Sequence, residues 1–79
     1  MNKFQAMARI MAILCDDGRL TPKSPVYRMV RAAVSERIDI LGPDAALVNI
    51  IDRKPQIMRQ IEVMRQWQER GKWIPTIEF

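Results

Sequence analysis

The sequence lacks most of the residue types that enzymes use for chemistry. It contains no histidine and one cysteine, Cys15, which excludes Ser-His and Cys-His nucleophilic sites and the usual zinc ligand sets. Its three glycines stand apart, each before a proline or a basic residue, unlike a phosphate-binding loop. Asp16 and Asp17 are adjacent, but neighbouring side chains on a helix diverge by about 100°. We therefore expect no enzymatic activity, no bound metal and no cofactor.

The chain also lacks the features of a secreted or membrane protein. One cysteine cannot form an internal disulfide, and Cys15 lies in an apolar helical pattern, which indicates a small core residue in a reducing compartment. No stretch reaches the roughly 18 to 20 uncharged apolar residues that a membrane span needs. Arg9 and the acidic pair that begins at Asp16 interrupt the N-terminal apolar run, unlike a signal peptide. We expect a cytoplasmic protein that does not associate with membranes.

Apolar and positively charged residues are what the chain has in quantity. Of its 79 residues 48% are hydrophobic, and the formal net charge is +4 with a pI near 9.8. This length predicts a single domain, 1–79, with a thin core. The apolar content is too high for a disordered segment. The basic balance permits an acidic partner, which is either nucleic acid or an anionic protein surface.

Glycine and proline residues divide the chain into four predicted helices. Gly18 and Gly42 are expected to end the first and second helices. Pro25 and Pro43 are expected to begin the second and third, because proline is favoured at the first helical position. Apolar residues recur at spacings of three and four throughout, which predicts an all-α fold, a compact bundle. The predicted helices cover residues 3–17, 25–41, 43–53 and 55–70.

The C-terminal segment 72–79, KWIPTIEF, does not follow a helical pattern. It alternates large apolar residues with polar ones, and Pro75 argues against an inner strand of a sheet. Two interpretations remain open: a single edge strand, or an extended segment packed against the helices. In both, we expect the apolar side chains of this tail to lie against the domain.

The first helix is apolar around almost its whole circumference. Apolar residues fill one face and extend to the far side, with Phe4, Met7, Met11, Leu14 and Cys15 on the first and Ala6, Ile10 and Ile13 on the second. Such a helix is either the central helix of the domain or part of a dimer interface, because a short chain has little other structure to surround it. We expect a homodimer, and the residues predicted to form its contacts are Met7, Ile10, Met11 and Leu14.

The third and fourth predicted helices have the outline of a helix-turn-helix. The patterns DAALVNIID and PQIMRQIEVMRQWQER meet at a three-residue joint that begins at Arg53. The inner face of the third helix is predicted to contain Leu47, Val48 and Ile51, with Ala46 and Ile50 beside them. In this motif the second helix presents its first two turns to the major groove of DNA. The residues there that can read bases or contact phosphates are Lys54, Gln56, Arg59 and Gln60.

A local resemblance points in the same direction. The segment RQIEVMRQWQERGKW resembles the end of a recognition helix that leads into the wing of winged-helix DNA-binding domains. The resemblance implies that the fourth helix contacts DNA. The joint between the two helices departs from the helix-turn-helix pattern, because it has no glycine and Val48 stands where a small residue usually allows close approach.

Two binding functions from different classes remain open. The first is a DNA-binding regulator of transcription that binds double-stranded DNA through the fourth helix. The second is a small inhibitor or adaptor, of the phage or plasmid accessory type, that docks on the acidic surface of a larger protein. Six methionines and two tryptophans are typical of adaptable interfaces, and they are equally typical of a core.

Overall fold

The computed structural model describes residues 1–71, and every regular element within that range is an α-helix. The all-α fold with four helices is therefore confirmed, and no helix end differs from its predicted position by more than three residues. The tail 72–79 lies outside the described residues, so both interpretations of it stay predictions. The four helices are α1 (Lys3–Leu14), α2 (Tyr27–Leu41), α3 (Pro43–Asp52) and α4 (Lys54–Glu69).

A capping box fixes the start of α1. The Asn2 side-chain oxygen accepts a bond from the Gln5 N–H at 2.8 Å, and the Gln5 side-chain oxygen accepts one from the Asn2 N–H at 3.0 Å. These two bonds satisfy N–H groups that a helix start leaves without partners. The helix ends at Leu14, three residues earlier than predicted, because the chain turns at the two aspartates. The Asp17 side chain accepts a bond from the Arg19 N–H at 3.0 Å, a local turn bond that competes with helix.

Single residues connect the last three helices. Gly42, with φ 86° and ψ 159°, separates α2 from α3, and this backbone conformation is essentially restricted to glycine. Arg53 alone separates α3 from α4, where a three-residue joint was predicted. Lys54 and Pro55 already belong to α4, since a proline in the first turn of a helix sacrifices no intrahelical bond. The chain therefore changes direction twice within a short distance.

The core lies between α1, α2 and α3, which all pack on one another, and α4 adds one buried stripe to it. Two residues of the α1–α2 loop, Leu20 and Val26, are fully buried as well. Within the described part of the chain no polar or charged side chain is buried. None of the four helices is long and apolar enough to cross a lipid bilayer. The helical core residues are Ala6, Ile10, Met11 and Leu14 of α1, Val30, Val34 and Ile38 of α2, Ala46 and Ile50 of α3, and Ile57, Met58, Ile61 and Met64 of α4.

The inner face of α3 differs from the predicted one. Ala46 and Ile50 are fully buried, whereas Val48 is 60% exposed and Ile51 is 49% exposed. The prediction that Val48 and Ile51 face the core was therefore wrong, whereas Leu47, which is partly buried, packs against the core as predicted. The apolar residues of α3 extend around most of the helix, so spacing alone permits either orientation.

Candidate nucleic-acid interface

The outer face of α4 carries amide, cationic and apolar side chains and no carboxylate. At 100° per residue, seven exposed residues fall within one third of the helix circumference. The two glutamates of the helix, Glu62 and Glu69, fall on its flank. The residues of this surface, which we call the α4 face, are Gln56, Arg59, Gln60, Val63, Gln66, Trp67 and Arg70.

A buried stripe on the opposite side fixes the rotation of α4. Ile57, Ile61 and Met64 recur at spacings of four and three and are almost fully buried in the common core. Rotating the helix would expose these three side chains to water, at about 1.5 to 3 kcal/mol each. The α4 face therefore stays directed toward solvent because of packing on the other side of the helix.

Arg59 lies in the second turn of α4 and is exposed. Glu62 is three residues away and is therefore within reach of Arg59 on a helix. It pairs instead with Arg65, whose guanidinium lies 3.1 Å from the Glu62 carboxylate. No residue within 1–71 forms an ion pair with Arg59. Its guanidinium is therefore available to an anionic ligand.

Lys54 does not belong to the α4 face. Its Nζ donates a hydrogen bond to Oδ2 of Asp16 at 2.7 Å. This ion pair joins the start of α4 to the turn that follows α1. Of the four residues predicted to contact DNA, the structure brings Gln56, Arg59 and Gln60 onto one exposed surface and directs Lys54 to another partner.

The joint before α4 differs from the turn of a helix-turn-helix. That motif has a three- to four-residue turn, whereas here Arg53 alone, with φ −101° and ψ 8°, connects the two helices. No residue other than glycine has a positive φ between residues 1 and 71. The segment that would form a wing begins beyond Gly71, outside the described residues. The α4 face itself, rather than the joint, is the feature that a DNA interface would use.

The residues predicted to form a homodimer are mostly inside the chain. Ile10 and Leu14 are fully buried and Met11 is 6% exposed, so they fill the core of one chain and are not a free surface. Met7 is partly buried. The first of the two roles considered for α1, a central helix of the domain, accounts for these three residues. The homodimer itself stays a prediction.

The helical pattern of the sequence places Arg28 and Arg31 together on a second basic face, and the structure adds a groove beside them, between α1 and α2. Phe4, which the helical pattern places on the same apolar face as Leu14, stands at this groove with 84% of its surface exposed. The groove has a volume of about 510 Å³. Its apolar lining residues are Phe4, Met7 and Ala32, and its cationic ones are Lys3, Arg28 and Arg31.

Cys15 is the single thiol of the chain. Burial raises its pKa above the ordinary 9.0, and the negative charges of Asp16 and Asp17 raise it further. The thiol is thus protonated at neutral pH and is a poor nucleophile. Among residues 1–71 no three His, Cys, Asp or Glu side chains are placed to hold a metal ion together.

Comparisons with known proteins give no further identification. The chain matches no protein-family model, and no curated protein or solved structure is significantly similar to it.

Proposed function

We propose that the protein is a small DNA-binding regulator that inserts the α4 face into the major groove of double-stranded DNA. The observation that carries the proposal is the composition of this face, which combines Arg59 with Gln56 and Gln60 and contains no carboxylate. A carboxylate on that surface would be repelled by the phosphates that border the groove. The net charge of +4 favours association with the same polyanion.

The side chains of the first turns of α4 match the hydrogen-bonding groups of base edges. Glutamine pairs in bidentate fashion with adenine, and arginine does so with guanine. Gln56 and Gln60 stand one turn apart, and Arg59 lies beside them. Val63 follows one turn later, where an apolar side chain can contact the methyl group of thymine. An α-helix has the width that the major groove admits, so these residues can reach the bases together.

Contacts outside the α4 face position this helix. The buried stripe of α4 and the Lys54–Asp16 ion pair both lie away from that surface. The helix can therefore meet DNA in the conformation it has in the free protein. A preorganised surface loses less entropy on binding than one that has to fold.

The test is a selection from random duplexes at about 0.1 M salt, followed by fluorescence anisotropy with the selected sequence. Arg59→Ala is compared with Arg9→Ala, which removes an exposed arginine of α1. If Arg59 contacts a base, Arg59→Ala should weaken binding of the selected duplex by roughly 5- to 150-fold, equivalent to about 1 to 3 kcal/mol, and relax sequence preference at one position. If Arg59 contacts a phosphate instead, Arg59→Ala should weaken binding of all duplexes and reduce the salt slope by about 0.9.

Two outcomes contradict the proposal. The first is that no duplex is enriched at that salt concentration, where the Debye length of about 10 Å leaves close contacts intact. The second is that Arg59→Ala and Arg9→Ala weaken binding equally, which would indicate attraction by net charge alone. Gln56→Ala and Gln60→Ala provide an additional check, because each should change the sequence preference more than the salt slope.

A further inference from the structure

The groove between α1 and α2 exposes an aromatic ring that the fold does not use. Phe4 is 84% exposed although its helix contributes four residues to the core. Met7, one turn later, is partly buried, and Ala32 of α2 lines the same groove. Together they form an apolar floor that is open to water, and covering it would be favourable because it removes apolar surface from water.

The cationic side of this groove has an excess of positive charge. Lys3 is neutralised by Asp39 of α2, with 2.7 Å between its Nζ and Oδ1 of the aspartate. Arg28 and Arg31 form no ion pair with any residue of 1–71. No carboxylate side chain lines the groove.

The two arginines also stand unfavourably close on their own helix. They are three residues apart, a spacing that places like charges next to each other on a helix and is destabilising. Neither Arg28 nor Arg31 has an acidic residue three or four positions away. A ligand that brings a carboxylate would relieve this repulsion and gain charge-assisted hydrogen bonds from both guanidinium groups.

We propose that this groove binds an acidic amphipathic segment of a partner protein. An apolar side chain of that segment covers Phe4, Met7 and Ala32, and an Asp or Glu carboxylate lies between Arg28 and Arg31. The arrangement corresponds to recognition of an amphipathic helix in a groove, in which apolar anchors provide affinity and flanking charges provide specificity.

The apolar floor favours a peptide over nucleic acid as the occupant. The arginines would serve phosphates equally well, and Phe4 offers one ring for stacking. Met7 and Ala32, however, provide no hydrogen-bonding group to a base edge, while they match an aliphatic side chain. The groove shares no residue with the α4 face, so this proposal holds whether or not the protein reads DNA.

The test uses the whole protein and a display library of random 12-residue peptides. Peptides enriched on the wild type should combine Asp or Glu with large apolar residues. Binding of the best synthetic peptide is then measured by fluorescence anisotropy against the wild type, R28A/R31A, F4A and the control R9A. We expect at least a tenfold loss with R28A/R31A, a similar loss with F4A and no change with R9A. Far-UV circular dichroism checks that all variants remain helical.

Three results would overturn the proposal. One is enrichment without acidic residues, or no enrichment at all. Another is binding of the selected peptide that R28A/R31A leaves intact. The third is that a fluorescent single-stranded oligonucleotide binds more tightly than any selected peptide and that the same variants lose this binding. That result would assign the groove to nucleic acid. A peptide with every Glu and Asp replaced by amides serves as the ligand-side control and should bind at least tenfold more weakly.

Discussion

Truncation of two apolar residues of α1, Phe4 and Leu14, is expected to change the stability of the protein by very different amounts. The helical pattern places both on one face, yet Leu14 is fully buried and Phe4 is 84% exposed. Leu14→Ala should strongly destabilise the protein. Phe4→Ala should leave stability almost unchanged although it deletes a larger side chain.

The magnitudes follow from the burial of the two side chains. Leu→Ala in a core costs about 2 to 5 kcal/mol, through lost transfer energy and the cavity that remains. Full burial of a large apolar side chain contributes about 1.5 to 3 kcal/mol, and only about a sixth of Phe4 is buried. Its truncation should thus cost about 0.3 to 0.5 kcal/mol, most of which the better helix propensity of alanine offsets. A domain of this length has about 4 to 12 kcal/mol of stability.

Urea unfolding at 25 °C, followed by far-UV circular dichroism, measures both free energies of unfolding. Thermal unfolding adds a check, since 1 kcal/mol corresponds to about 4 to 8 °C for a domain of this size. We expect Leu14→Ala to lower Tm by at least about 8 °C and Phe4→Ala by less than about 3 °C. Equal destabilisation by the two variants would refute the reasoning. If Phe4→Ala is costly and the midpoint depends on protein concentration, Phe4 lies in an interface between copies.

Two further predictions concern the turn at Gly42 and the thiol of Cys15. Gly42→Ala should lower the free energy of unfolding by about 1 to 3 kcal/mol in the same urea assay, because the backbone there has φ 86° and ψ 159°. Cys15 should react with iodoacetamide more slowly than a free thiol at pH 8, and Asp16→Asn should accelerate the reaction, because burial and then the neighbouring carboxylates raise its pKa. Because the pKa of Cys15 is raised in the folded protein, the protonated thiol favours the folded state. This contribution to the free energy of unfolding is fully present below the pKa of the unfolded thiol and is lost as pH rises through the pKa of the folded thiol.

Helix positions could be predicted from sequence because their determinants are local. Gly42 followed by Pro43 ends one helix and begins the next through backbone preferences of those two residues. The orientation of α3 could not be predicted in the same way. Its apolar residues cover most of its circumference, so the pattern does not show that Ala46 and Ile50 form the centre of the buried face and that Val48 lies outside it. Small side chains at a contact let helices approach closely. Which face of α3 makes that contact depends on the helices packed against it and not on the α3 pattern alone.

The candidate DNA interface was predictable in part for a related reason. Gln56, Arg59 and Gln60 lie opposite a regular apolar stripe, and that stripe identifies the outer face from the sequence of α4 alone. Lys54 is close to them in sequence, but its position depends on Asp16, 38 residues away. Leu20 shows the same limit, because the α1–α2 loop has no periodic pattern to indicate that this residue is buried.

The two candidate surfaces depend on different parts of the fold, and this separates their energetics. The groove lies between α1 and α2, whereas the α4 face lies on a helix that packs on the core of α1, α2 and α3 through one buried stripe. Substitutions on separate surfaces with no common contacts contribute additively. A partner in the groove would therefore leave DNA affinity unchanged unless it moved α4 itself. Because the Lys54–Asp16 ion pair joins the start of α4 to the turn that follows α1, and residues of α1 and α4 share one core, a shift of α1 is a physical route by which occupancy of the groove could reach the α4 face.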